Sequence, residues 1–288
     1  MTEPTIRDVS DTAFWIAHLR ALESERPDAL FRDPLAARLS GERGREITAS
    51  MPIPRMVGWT VAIRTCIIDD YLEFAIDEGV DTILNLGAGL DTRPYRMNLP
   101  PSLHWVEADY PHIIEYKESV LVGEKPRCQL ERVKVDLANP PERRHMLASI
   151  NARARKMLVL TEGVVPYLSL EEAASLADDL RALDHIRYWV VDYFSAEAMK
   201  YRRQKTMQRA MQNAPFRFAP ADWFGFFRSH GWQVKDMRYV AEEAERLRRP
   251  VPLPILIKIA LKLWTRFAPK ERKEAFLHSM GYALLEPS

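Results

Sequence analysis

Four short polar stretches carry the residues of this 288-residue chain whose types and spacing suit chemistry. The first is TILNLGAGLDTRPYR, Thr82 to Arg96, where an apolar run breaks at Gly87 and Gly89, with Ala88 between them. Glycine at the carboxyl end of a strand lets backbone come within contact distance of a ligand. The run G-A-G-L-D-T lacks the third glycine of a dinucleotide fingerprint, so a purely structural turn is the competing reading. WVEAD then ends in Asp109. A carboxylate about 20 residues beyond such a turn is placed to take two ribose hydroxyls. KVDL supplies Asp136, able to accept from an exocyclic amine, and Leu137, able to pack on an adenine ring. LTEG supplies Glu162, and Arg64 stands in the middle of a helical stretch. Each has a plainer alternative: Asp109 precedes Pro111 and can cap a helix, Glu162 can be a solvated loop carboxylate, and Arg64 a surface charge. Asp136 has a competitor in Asn139, which directly precedes Pro140 and is the better cap.

The elements that must position these groups follow a strand–helix rhythm. Strands are expected at Thr82 to Leu86, Leu103 to Ala108, Leu130 to Val135, Met157 to Thr161, Tyr188 to Phe194, Gln233 to Val240 and Gly281 to Pro287. Helical patterns fall between them at Pro111 to Val122, Pro140 to Arg155, Ser169 to Leu183 and Ala221 to His230. Such alternation predicts an α/β fold with a doubly wound, mostly parallel sheet. The last strand, returning from a long excursion, can insert antiparallel to make seven. Upstream, residues 1–80 read as a helical cap: one helix from Ser10 or Asp11 to about Glu25, a short piece ending at Gly41, a loop from Gly44 to Pro54, and a long helix from about Arg55 to Glu78. Residues 81–194 form the core, and residues 195–288 hold helical insertions and the last strands, all in one domain. Ser195 to Gln212 is a basic helical insertion. In a second, Glu242 to Lys273, Ile255, Leu256, Ile259, Leu263 and Phe267 share one helical face and Lys258, Lys262 and Arg266 another, the pattern of a lid or a subunit-contact helix, here a homodimer contact, with a membrane-surface helix as the alternative.

Composition narrows the classes further. A net charge of +1 argues against a nucleic-acid partner. Cys66 and Cys128 are the two cysteines, with no cluster of metal-ligand spacing, so neither a disulfide framework nor a metal is expected. The amino-terminal residues lack the apolar core of a signal peptide, and no apolar run reaches the roughly 20 residues of a membrane span. A cytoplasmic location is expected.

Together LGAGLDTRPYR, VEADYP, VKVDL and LTEGVVPYL, with IRTCIID before them and RPDALFRDPLAARL near the amino terminus, resemble the leucine carboxyl methyltransferase superfamily. The likeness is to its bacterial branch with polyketide carboxyl O-methyltransferases, and it covers roughly Arg20 to Phe194. It implies a seven-stranded fold binding S-adenosylmethionine. By that resemblance Arg64 pairs with the methionine carboxylate, and Gly87, Ala88 and Gly89 lie against the methionine portion. Asp109 holds the ribose, Asp136 and Leu137 the adenine, and Glu162 faces the ammonium. The chain departs from eukaryotic members at TRPYR, Thr92 to Arg96, and in both insertions, which leaves the acceptor open.

Methyl transfer from a sulfonium is an in-line displacement, favoured by near-attack positioning and by exclusion of water. A carboxylate acceptor is already ionised at neutral pH, whereas a phenol wants a base. The strand-end motifs contain no histidine, so a small acidic acceptor is the first expectation and a hydroxyl the second. Arg93, Arg96, Arg202 and Arg203 are candidate anion clamps, and Tyr167 and Tyr193 candidate pocket walls. A nicotinamide-dependent oxidoreductase and a cofactor-binding scaffold without turnover are the rival classes.

Overall fold

The computed structural model describes residues 6–202, 209–257, 260 and 267–288. Seven strands form one sheet in the order β3-β2-β1-β4-β5-β7-β6. They are β1 (Thr82–Leu86), β2 (His104–Asp109), β3 (Gln129–Lys134), β4 (Met157–Thr161), β5 (Ile186–Phe194), β6 (Trp232–Tyr239) and β7 (Met280–Pro287). The first five pair in parallel, while β7 runs antiparallel between β5 and β6. Chain direction reverses its winding between β1 and β4, the place where open α/β sheets leave a crevice beyond their carboxyl ends.

Alternation along the strands sorts side chains into two layers. Leu84, Leu86, Val159 and Val191 face α6 (Pro140–Asn151) and α7 (Leu170–Arg181), packing on Leu147, Ile150, Leu176 and Leu180. Ile83, Leu158, Leu160 and Val190 face the other way, onto Ile63, Ile67, Tyr71 and Leu72 of α3 (Pro54–Asp77). Burial on both faces explains why β1 and β4 are apolar almost throughout. α7 starts on a capping box, in which Ser169 accepts from Glu172 N–H at 3.1 Å and the Glu172 carboxylate accepts from Ser169 N–H at 2.7 Å. Asp8, rather than Ser10 or Asp11, caps α1 (Val9–Ser24), accepting from Asp11 N–H at 3.2 Å.

The expected loop from Gly44 to Pro54 is a correction. α2 (Ala36–Ser50) continues through a kink at Gly41, whose φ of 53° and ψ of −154° suit glycine, and stays helical to Ser50. Ile47 is buried there against the cluster of Trp15 and Leu19 from α1. Among the described residues the further helices include α4 (Arg93–Arg96), α5 (Pro111–Val120), α8 (Ala196–Arg202), α9 (Trp223–Ser229), α10 (Val240–Arg246) and α11 (Lys270–Leu277). Of the second insertion, Lys258, Ile259, Lys262, Leu263 and Arg266 lie outside the described residues. Ile255, Leu256 and Phe267 are 68%, 76% and 78% exposed, whereas Ala244 and Leu247, nearer the start of that stretch, pack on Leu158, Val190 and Tyr282 of the sheet. No helix among the described residues is long and apolar enough to cross a membrane.

Candidate functional site

A cavity of about 860 Å³ opens beyond the carboxyl ends of β1, β2, β4 and β5, within the usual size of ligand pockets, roughly 300–1,000 Å³. Its floor is the turn after β1. Gly87 has a φ of +66°, and a Cβ there would stand 2.5 Å from Cγ2 of Val164, so the turn is closed against the loop after β4. Gly89 N–H donates to Oδ2 of Asp109 at 2.6 Å, and Tyr110 N–H donates to Oδ1 at 2.7 Å. Asp109 therefore ties the end of β2 to the glycine turn 20 residues earlier. Burial pushes its carboxyl up, against these two donors, which lower it.

On the other side stand Arg64 and Glu162. Arg64 projects from the middle of α3 to an ion pair with Glu162, Nε to Oε1 at 2.8 Å, and the second Glu162 oxygen accepts from Arg93 Nη1 at 2.7 Å. The Arg64–Glu162 contact lacks hydrogen-bond alignment, so the buried Arg64 Nε–H is left without a hydrogen-bond partner. Burial alone would raise the Glu162 carboxyl; Arg93 and Arg64 outweigh it and hold it below the ordinary value.

Arg64, Gly87, Ala88, Gly89, Asp109, Leu137, Glu162 and Tyr167 all line this one cavity, as the strand-end reading requires. Asp136 does not. Its Oδ1 accepts from Ala138 N–H at 2.9 Å and its carboxylate meets the Tyr110 side chain, leaving Leu137 to form the wall. Arg93 and Arg96 are corrections, for neither lines the cavity. Arg93 is 2% exposed and bonded to Asp69 at 2.7 Å, Asp91 at 2.9 Å and Glu162, while Arg96 makes two bonds to Asp69 at 2.7 and 2.8 Å. They brace the site from beneath. Tyr193 is also a correction: it lies off the cavity, its ring 5.3 Å from Trp223, 5.5 Å from Phe224 and 5.9 Å from Tyr239. Arg203 and the Arg202 side chain lie outside the described residues.

Among the polar residues of the cavity that the sequence reading missed are Asn85, Asp91 and Asp192. Asn85 donates to Asp91 Oδ2 at 2.9 Å, and Asp91 also accepts from Arg93 N–H at 3.0 Å. Burial opposes ionisation of Asp91, yet Arg93, Lys117 and Arg20 keep its carboxyl well below the usual range. Asp192, at the end of β5, is 3% exposed and accepts from Gly163 N–H at 2.9 Å. Burial pushes it up to about 6, against the lowering effect of Arg64. The signal was present in VVDYF, an acid in an otherwise apolar strand.

Helix α1 and the stretch from Met211 to Arg217 wall the rest. Arg20 fastens α1 to the turn, donating to Leu90 O at 2.6 Å and to Asp33 at 2.9 Å. Arg217 N–H donates to Pro166 O at 2.8 Å, and the Phe216 ring stands edge-on to Tyr167 at 4.9 Å. Val57, Val61, Ile16 and Met211 add apolar surface. No group of three or more potential metal ligands occurs among the described residues.

A cationic side chain with an unsatisfied donor beside a carboxylate suits a zwitterionic amino-acid moiety, and the Asp109 carboxylate suits a nucleoside hydroxyl pair. The sheet around them, wound 3-2-1-4-5-7-6, is of the class I S-adenosylmethionine-dependent methyltransferase type. The leucine carboxyl methyltransferase model matches residues 13–181, and the chain belongs to that family. A protein of Parafrankia sp. named as an S-adenosyl-L-methionine-dependent methyltransferase is 31% identical over 262 residues, covering 85% of this chain and 83% of its own. One of Streptomyces avermitilis, named likewise, is 30% identical over 262 residues, covering 84% and 89%. Among solved structures, a methyltransferase-titled protein from Thermobifida fusca aligns over 95% of this chain and 94% of its own with a TM-score of 0.56 at 15% identity, a likeness of fold. The nicotinamide and scaffold readings are thereby displaced: the chain is an S-adenosylmethionine-dependent methyltransferase.

Proposed function

We propose that the acceptor is a carboxylate of a small molecule with an apolar body, and that the product is its methyl ester. One observation carries the choice: no histidine, lysine or cysteine lines the cavity among the described residues, so the strongest ordinary bases are missing beside the acceptor. An ionised carboxylate needs none. The lining arginines other than Arg64 are already engaged, Arg20 with Asp33, Arg143 with Asp179 at 2.6 Å and Arg217 with Glu172 at 3.1 Å, leaving an apolar wall of Ile16, Val57, Val61, Met211 and Phe216 to take the acceptor's body.

In this reading Arg64 binds the carboxylate of the cofactor's methionine part and Glu162 its ammonium. Gly87, Ala88 and Gly89 lie along the same part; Asp109 holds the ribose. Leu137 packs on the adenine, and Asp136 keeps that loop in place through Ala138 N–H. When bound, S-adenosylmethionine would supply an electrophilic methyl on a sulfonium, with the neutral thioether as its leaving group. Tyr167 and Phe216 would orient the acceptor. α1, held by Arg20, would exclude water from the reacting atoms.

A hydroxyl acceptor is the second reading, favoured by Asp192, a cavity carboxyl at about 6 that could take the proton. Incubation with radiolabelled cofactor and a fractionated extract, followed by mild alkali, separates them. Release of the label as methanol is expected. Label that survives alkali would overturn the ester.

A further inference from the structure

The buried charges behind the cavity do not balance. Four carboxyl groups, Asp69, Asp91, Glu162 and Asp192, meet three guanidinium groups, Arg64, Arg93 and Arg96; Lys117 and Arg20, which also lower Asp91 through space, are paired with Glu107 and Asp33. Asp69 contacts Arg93 and Arg96, Asp91 contacts Arg93, and Glu162 contacts both Arg93 and Arg64. Asp192 makes its bond to Gly163 N–H and feels Arg64 only through space. The groups facing it are Arg64 from α3, Glu162 and Gly163 from the end of β4, and Tyr282, its partner across the β5–β7 pair. Glu162 raises the Asp192 carboxyl and Arg64 lowers it, with burial the largest influence.

A buried carboxylate without a contacting cation is costly unless a ligand brings the missing charge. S-adenosylmethionine carries one positive charge more than S-adenosylhomocysteine, because the sulfonium is added to an ammonium and a carboxylate that both share. We propose that Asp192 is the specificity residue by which the site tells loaded cofactor from spent product, its carboxylate being the uncompensated negative charge that favours the more positive ligand. The inference rests on the placement of the cofactor in this cavity given above.

With Asp192 ionised, above about pH 6, the extra cation is favoured and product is released more readily. Protonation at lower pH cancels the difference. Glu162, held low by two guanidinium groups, stays ionised throughout and does not contribute to the change.

Calorimetric titration of wild type and Asp192→Asn with each ligand, from pH 5 to pH 7.5, tests this without turnover. In the wild type the product-to-cofactor ratio of dissociation constants should fall on the order of tenfold from pH 7.5 to pH 5. In Asp192→Asn the ratio should be small and flat. At pH 6 cofactor binding should also release more protons than product binding, read from the dependence of the heat on buffer ionisation. A wild-type ratio independent of pH overturns the proposal whether or not the variant folds, as does a variant that keeps the wild-type ratio at pH 7.5. Unchanged affinity of both ligands for Asp109→Ala would instead overturn the placement of the cofactor.

Discussion

At the scale of single residues, the glycine turn and Asp109 bear the sharpest consequences. Gly87→Ala must hold an L side chain at a φ of +66° and drive its Cβ to 2.5 Å from Val164. The expected loss is about 2–4 kcal/mol of stability, measured by urea unfolding, and Val164→Ala in the same chain should restore only the steric part. Asp109→Ala should weaken S-adenosylmethionine binding by about 1.5–3 kcal/mol, since a charged acceptor is lost, with calorimetry as the check. Gly87, Asp109, Leu137 and Glu162 were legible as cavity positions because the carboxyl ends of parallel strands converge on one crevice, whereas Arg64, on a helix, was named only through the family resemblance. Asp192 went unread although VVDYF showed it, because it stands inside an apolar strand, two residues before its end, and not in the polar run that follows a strand. Arg93 and Arg96 were misread for a different reason. An arginine's type announces an anion without saying which, and here, apart from Asp91 two residues from Arg93, the carboxylates come from 24 to 69 residues away in the chain.

Among the elements, the packing of α1 on α2 decides how the cavity is roofed. A Cβ on Gly44 would meet Phe14 O at 2.6 Å, Ser40 Cβ at 2.8 Å and His18 Cβ at 3.0 Å. Backbone of one helix lies against the other there, with no side chain to yield. Gly44→Ala is expected to push α1 outward at a cost of about 1–3 kcal/mol, seen as a lower unfolding midpoint and as greater solvent quenching of the buried Trp15. This contact also explains why α2 escaped the pattern reading beyond Gly41. GREITAS offers a single large apolar residue, Ile47, so no helical period shows, and tertiary packing rather than periodicity holds the segment helical. The strands were easier. β1 and β4 match their expected bounds because two-sided burial writes continuous apolar runs into the sequence.

For the molecule as a whole, stability should respond to pH in two opposed ways. Asp192 rises to about 6 on folding, above the ordinary carboxyl value near 3.9. The folded chain therefore binds more protons than the unfolded one between these values, and stability falls as pH rises through that window. Asp91 and Glu162 are depressed, so their contribution is present above the ordinary range and is lost as acid titrates them. Asp192→Asn should accordingly gain about 2–3 kcal/mol at pH 7.5, a gain that shrinks through the window and vanishes below about pH 3, by urea unfolding at each pH. β7 carries a different implication. It is the partner of both β5 and β6, yet Met280–Pro287 comes last. On the ribosome, a nascent chain that has already emitted β6 must wait for these eight residues. Until they emerge, β5 shows an open edge, the condition under which chaperone capture or wrong pairing competes with completion.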